Sequence, residues 1–111
     1  MKHELGTVIA RRDYFSAERQ NSAPSVVVEI GAPAKSPHAD GEYMCSFRIK
    51  SSRSEHSQTI YGIDELQALQ LALGHAEAHL RRLSSSEGLD LHWVGGVEGD
   101  LGIRIPEYFK R

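Results

Sequence analysis

Between Tyr43 and Leu83 the apolar side chains change their spacing, from every second residue to every third or fourth. In the first stretch Tyr43, Cys45, Phe47 and Ile49 alternate with Glu42, Met44, Ser46, Arg48 and Lys50. A period of two puts one face of a strand on a core and the other in water. In the second stretch Leu66, Leu69, Leu73, Ala76, Leu80 and Leu83 fall on one stripe at about 100° per residue, the signature of an amphipathic helix. An amphipathic strand followed at once by a long amphipathic helix has two faces to bury, and each is the natural cover of the other. This switch predicts an α+β fold.

The flanking segments fill in the sheet. Thr7, Val8 and Ile9 favour a strand over about 5–12. Ser16 to Ala23 reads as a polar loop, and Val26, Val28 and Ile30 alternate in a second strand over 25–31. Gly31 to Gly41, with two Pro and two Gly inside it or at its ends, reads as a loop before the third strand at 42–50. Ser51 to Ser57 reads as a polar turn, with a short fourth strand at 58–62. Short connections between successive strands favour an antiparallel meander. Asp64 suits the N-cap of the helix, and Gln67 three residues later completes a capping-box-like pair. The helix is expected over 64–83, with Arg81 and Arg82 in its last turn, where cations suit the dipole. Ser84 to Gly88 ends it. Residues 88–111 form a tail in which Leu89, Leu91 and Trp93 alternate as a short fifth strand or coil, and Ile103, Ile105, Tyr108 and Phe109 provide apolar surface for docking. The expectation is one α+β domain over 1–111: a four-stranded antiparallel meander with the helix packed on one face.

Composition narrows the function classes. The chain has 111 residues and a formal charge of −2, which disfavours the basic face of a nucleic-acid binder and a polybasic membrane anchor. Residues 63–111 are slightly acidic, with eight Asp/Glu against five Lys/Arg. No stretch of about 18 apolar residues suggests a membrane span, and Met1 to Glu4 lead into no apolar signal segment. The single cysteine, Cys45, leaves no internal disulfide, in keeping with a reducing compartment. A cytoplasmic protein is expected.

The run Gly62-Ile63-Asp64-Glu65-Leu66-Gln67-Ala68-Leu69-Gln70-Leu71-Ala72-Leu73 resembles the helix signature, G-x-D-x-x-Q-A-L-x-L-A-L, of a small bacterial domain family of unknown function. Tyr43-Met44-Cys45 is similar to that family's aromatic-x-Cys strand. Trp93, Gly95-Gly96 and Asp100-Leu101-Gly102 are similar to its C-terminal elements. The resemblance runs from about Glu4 to Pro106, and departs from the family at Ile103-Arg104-Ile105-Pro106. It implies a compact cytoplasmic α+β domain and brings no catalytic residues with it.

Few residues form a chemical constellation. His75 and His79, at i and i+4 on the helix, are the candidate metal ligands, with His92 a more distant third; two ligands alone do not close a site. The inward alternation of Cys45 marks it as a small core hydrophobe rather than a nucleophile. Gly95-Gly96 and Gly99-x-x-Gly102 lack the Lys-Ser/Thr of a phosphate loop, and Ser51-Ser52 and Ser84-Ser85-Ser86 show no nucleophile elbow. Trp93 reads as an anchor for the tail, the alternative being a ligand pocket with Tyr108 and Phe109. No catalytic residue and no cofactor is expected. The helix also carries a small, apolar back face, Ala68, Leu71, Gly74 and Ala78, with only Arg82 charged near its centre, suited to a covering surface: the tail, a second copy or another protein. The sequence therefore favours a non-enzymatic protein-interaction module, regulatory or immunity-type, over a small-ligand or metal-binding domain using His75 and His79.

Overall fold

A computed structural model describes residues 5–16, 23–94, 96 and 101–103. The elements run β1 (Val8–Ser16), β2 (Val26–Gly31), β3 (Ala34–Lys35), β4 (Tyr43–Ser51), β5 (Glu55–Gly62), α1 (Glu65–Glu87) and β6 (Leu91–His92). The fold is α+β with one antiparallel sheet. It has six strands rather than the four expected, because two two-residue strands join the long ones. β3 pairs with β4 through Ala34 and Met44 and through Lys35 and Tyr43. It lies on the same side of β4 as β2, which pairs further along, from Val26 opposite Ser51 to Ile30 opposite Phe47. β6 adds to the far edge, with Phe15 opposite His92 and Ser16 opposite Leu91. The four long strands keep their chain order across the sheet, β1 beside β2, β2 beside β4 and β4 beside β5.

The alternation in β4 holds as read. Cys45, Phe47 and Ile49 are buried beside Val26, Val28 and Ile30 of β2 and Ile60 of β5. Three strand limits move by more than one residue, the first being the start of β1, which lies at Val8 rather than at residue 5. β1 continues past residue 12 to Ser16 because Tyr14 turns inward and is fully buried. β5 begins at Glu55, within the stretch expected to be a turn, and brings His56 opposite Ile49. The outer sheet face carries two cross-strand polar pairs. Arg48 Nη2 lies 2.7 Å from Glu29 Oε1, and the hydroxyls of Ser46 and Thr59 are 2.7 Å apart.

The helix starts where the capping pattern puts it. The Asp64 carboxylate accepts from the Gln67 N–H at 2.7 Å, and the Gln67 side chain reaches back to accept from the Ile63 N–H at 2.8 Å. The far end runs a turn beyond expectation. Ser84, Ser85 and Ser86 are helical, and Gly88 ends the element in the left-handed region at φ 63°. There Leu89 N–H donates to Ser84 O and Gly88 N–H to Ser85 O, the bond pair of a Schellman motif. Arg81 and Arg82 consequently sit short of the last turn, which holds no basic residue.

The buried arc of α1 is rotated from the leucine stripe toward the alanines. Ala68, Ala72, Ala76 and Leu80 are fully buried and Leu83 nearly so, whereas Leu69 and Leu73 are half-buried and Leu66 is exposed. Ala68 thus belongs to the core and not to the back face. Small residues let the helix lie close on β4 and β5, its main neighbours. Over the β1 side of the sheet the cover comes from Leu91, Trp93, Leu101 and Ile103, which join the same cluster.

Candidate functional site

Three regions bear on function: the outer face of α1, a histidine contact between α1 and β5, and a cleft where the sheet, the helix and the tail meet.

On the outer face Leu71, Gly74 and Ala78, read from the sequence as a face for a covering surface, are exposed, and Leu66, read as part of the core stripe, is exposed as well. Leu71 is 42% exposed and Leu66 62%. Gln70, Gly74, His75 and Ala78 are exposed beside Leu71 and line a shallow depression with it. From Leu66 to Ala78 the exposed positions carry no Asp, Glu, Lys or Arg; Glu77 is buried, and Arg81 Nη2 lies 3.7 Å from its Oε2. A solvated helix face normally carries charge. Gly74 leaves open space between Leu71 and Ala78, a notch one turn wide. Of the four residues read from the sequence as a back face, Leu71, Gly74 and Ala78 share this surface.

The expected histidine pair is not the pair that forms. His75 stays exposed, and His79 stacks on His56 of β5 with ring centroids 3.7 Å apart and planes 11° from parallel. His56 Nε2 lies 3.2 Å from Gln58 Oε1, and its ring also meets Phe47 at 5.9 Å. Parallel rings in contact point their nitrogen lone pairs side by side, not toward a common point, so this contact is packing rather than a ligand set. Desolvation lowers the His79 pKa from its ordinary value, and the charges of His56 and Arg82 lower it further. His92 lies elsewhere, on β6, with its ring 6.4 Å from that of Phe15. Among the described residues no group of three or more His, Cys, Asp and Glu side chains is placed to hold a metal ion. The sequence hid His56 because its strand partners in β5 are polar and gave no alternation to read.

Cys45 is buried and its Sγ donates to Gly31 O at 3.3 Å. Burial pushes its thiol pKa up, the opposite of what a nucleophile needs.

The third region was not legible as a site. Arg12 projects on the helix side of β1, opposite Val28. Its guanidinium lies 3.8 Å from the Trp93 ring centroid, and Nη1 donates to Gly102 O at 2.8 Å and Leu101 O at 3.5 Å. The Tyr14 hydroxyl also donates to Leu101 O. Gly102 has φ 72°, and a Cβ there would come within 2.5 Å of both Trp93 and Arg12, so only glycine fits this crossing. Trp93 is the tail anchor expected; Tyr108 and Phe109, its suggested companions, lie outside the described residues, as do Gly95 and Gly99. Between β1, β2, Leu73 and the tail lies a half-open cleft of about 150 Å³, lined by Ala10, Tyr14, Val28, Ile30, Leu73 and Ile103, with Arg12 at its border.

A family model described as "Domain of unknown function (DUF6968)" matches residues 10–105. The chain belongs to this family. The match covers the sheet, the helix and the Arg12–Trp93 crossing, so all three regions lie inside the DUF6968 domain. Neither a curated protein nor a solved structure matches the chain. Among the described residues of this DUF6968 domain, no helix is long and apolar enough to cross a membrane.

Proposed function

We propose that this DUF6968 domain is a non-enzymatic protein-interaction module of the bacterial cytoplasm, with the outer face of α1 as its docking surface. The observation that carries the reading is the uncharged exposed surface from Leu66 to Ala78, notched at Gly74 between Leu71 and Ala78. An isolated exposed leucine is ordinary. A helix face without a charge over three turns is not, and apolar surface rimmed by polar groups is what partner surfaces present. The occupant this face suits is another protein that inserts an apolar side chain at Gly74. The acidic excess of residues 63–111 adds a preference for a basic rim on that partner. Regulatory or immunity-type binding fits a module of this size.

Affinity capture from the native cell, with the wild type and Leu71→Glu as baits, tests the proposal. A protein retained by the wild type and lost by the variant is the expected result. Identical captures from both baits would overturn it. Self-association of the wild type that Leu71→Glu abolishes would replace the other protein by a second copy.

A further inference from the structure

Arg12 is half-buried, and among the described residues no carboxylate meets its charge. Among the described residues Nη1 alone of its nitrogens donates a hydrogen bond, and both acceptors are neutral carbonyl oxygens. The neighbouring arginines differ. Arg11 pairs with Asp13 at 2.9 Å and Arg48 with Glu29 at 2.7 Å. Taking a cation partly out of water without an opposite charge is unfavourable, yet this group is also held in place. Trp93 lies against it, the carbonyls of residues 101 and 102 fix one edge, and among the described residues Nε and Nη2 have no acceptor. A guanidinium in that state is a ready anion partner, most of all for a planar carboxylate.

The same side chain borders the apolar cleft. Val28, Ile30, Leu73 and Ile103 offer hydrocarbon, and the volume of about 150 Å³ is that of a cavity known to admit a benzene-sized body. We infer that this cleft is a binding site for a small apolar carboxylate, whose hydrocarbon part fills the cleft and whose carboxylate pairs with Arg12. The site is separate from the outer face of α1 and stands or falls independently of the docking proposal.

Trp93 is the only tryptophan and lies against the charged group, so its fluorescence reports ligand binding directly. The probes are phenylacetate, the uncharged phenylacetamide, and acetate, which has the charge but no body for the cleft. Saturable quenching by phenylacetate is expected, at least about tenfold tighter than by phenylacetamide, a difference of about 1.4 kcal/mol, and absent with acetate. Arg12→Met should abolish the preference for the carboxylate, read by methyl NMR shifts at Val28 and Ile30 so that the altered tryptophan environment does not confuse the result. Ala10→Phe, at an exposed position on the cleft wall, should block phenylacetate while leaving Arg12 intact, and it remains decisive if Arg12→Met fails to fold. The inference is overturned if phenylacetate does not saturate, if phenylacetamide binds equally well, if acetate matches phenylacetate, or if Ala10→Phe binds like the wild type.

Discussion

Single side chains divide sharply between those the fold rests on and those it leaves in water. Phe47 is fully buried at the centre of β4, so Phe47→Ala should destabilise the protein by about 3–5 kcal/mol. Leu66→Ala, at a residue 62% exposed, should stay within about 0.5 kcal/mol of the parent. Ala72 reverses the usual weighting by size. It has no exposed surface, and Ala72→Leu should destabilise by about 1–3 kcal/mol through overpacking. Urea denaturation of the three variants checks all of these values, and a Leu66→Ala loss matching that of Phe47→Ala would contradict the assigned faces. His79 adds a dependence on pH. Its pKa is lowered in the folded protein, chiefly by desolvation, so the unfolded chain binds more protons as pH falls through the ordinary imidazole value of 6.5. The stabilising effect of the neutral ring is complete above that value and is lost on acidification toward the lowered one. Unfolding free energies compared between pH 8 and pH 5 should therefore fall more steeply in the wild type than in His79→Phe; equal slopes would show that the stacked ring contributes nothing.

At the scale of elements, the two ends of α1 make a pair of tests. Asp64→Ala removes the side-chain acceptor for the Gln67 N–H and should destabilise by about 0.5–2 kcal/mol. Gly88→Ala forces a Cβ into the left-handed region at φ 63°, which disfavours an L-residue by about 1–2 kcal/mol. Thermal melts of both should shift downward, and an unchanged Gly88→Ala would mean that the helix does not end as described. Much of this architecture was legible because it is local. The alternation of Cys45, Phe47 and Ile49, the period of the helix and the Asp64–Gln67 cap all arise within a few residues of one another. What escaped was set by distant neighbours. Ala68 carries too little hydrophobic weight to mark a core face beside Leu66 and Leu71, and it became core because the helix lies close on β4 and β5. His56 joined the inner face only because β5 starts earlier than its polar residues suggest. Arg12 carries no local pattern that marks it, and its role depends on a tail about ninety residues further on.

The whole molecule is a sheet covered unevenly. The helix lies over β4 and β5, the tail segment covers the β1 side, and the outer sheet face carries the Arg48–Glu29 pair. The exposed positions of α1 from Leu66 to Ala78 carry no charge. Family membership adds no activity to this picture, so the functional reading rests on that surface. Side-chain footprinting with hydroxyl radicals, applied to the free domain and to the domain bound to the protein it captures, tests the reading most directly. The account predicts that Leu66, Leu71 and His75 lose reactivity in the complex while Val94, which is 86% exposed, keeps it. Protection at Val94 with Leu66, Leu71 and His75 as reactive as in the free domain would place the partner elsewhere and contradict the account.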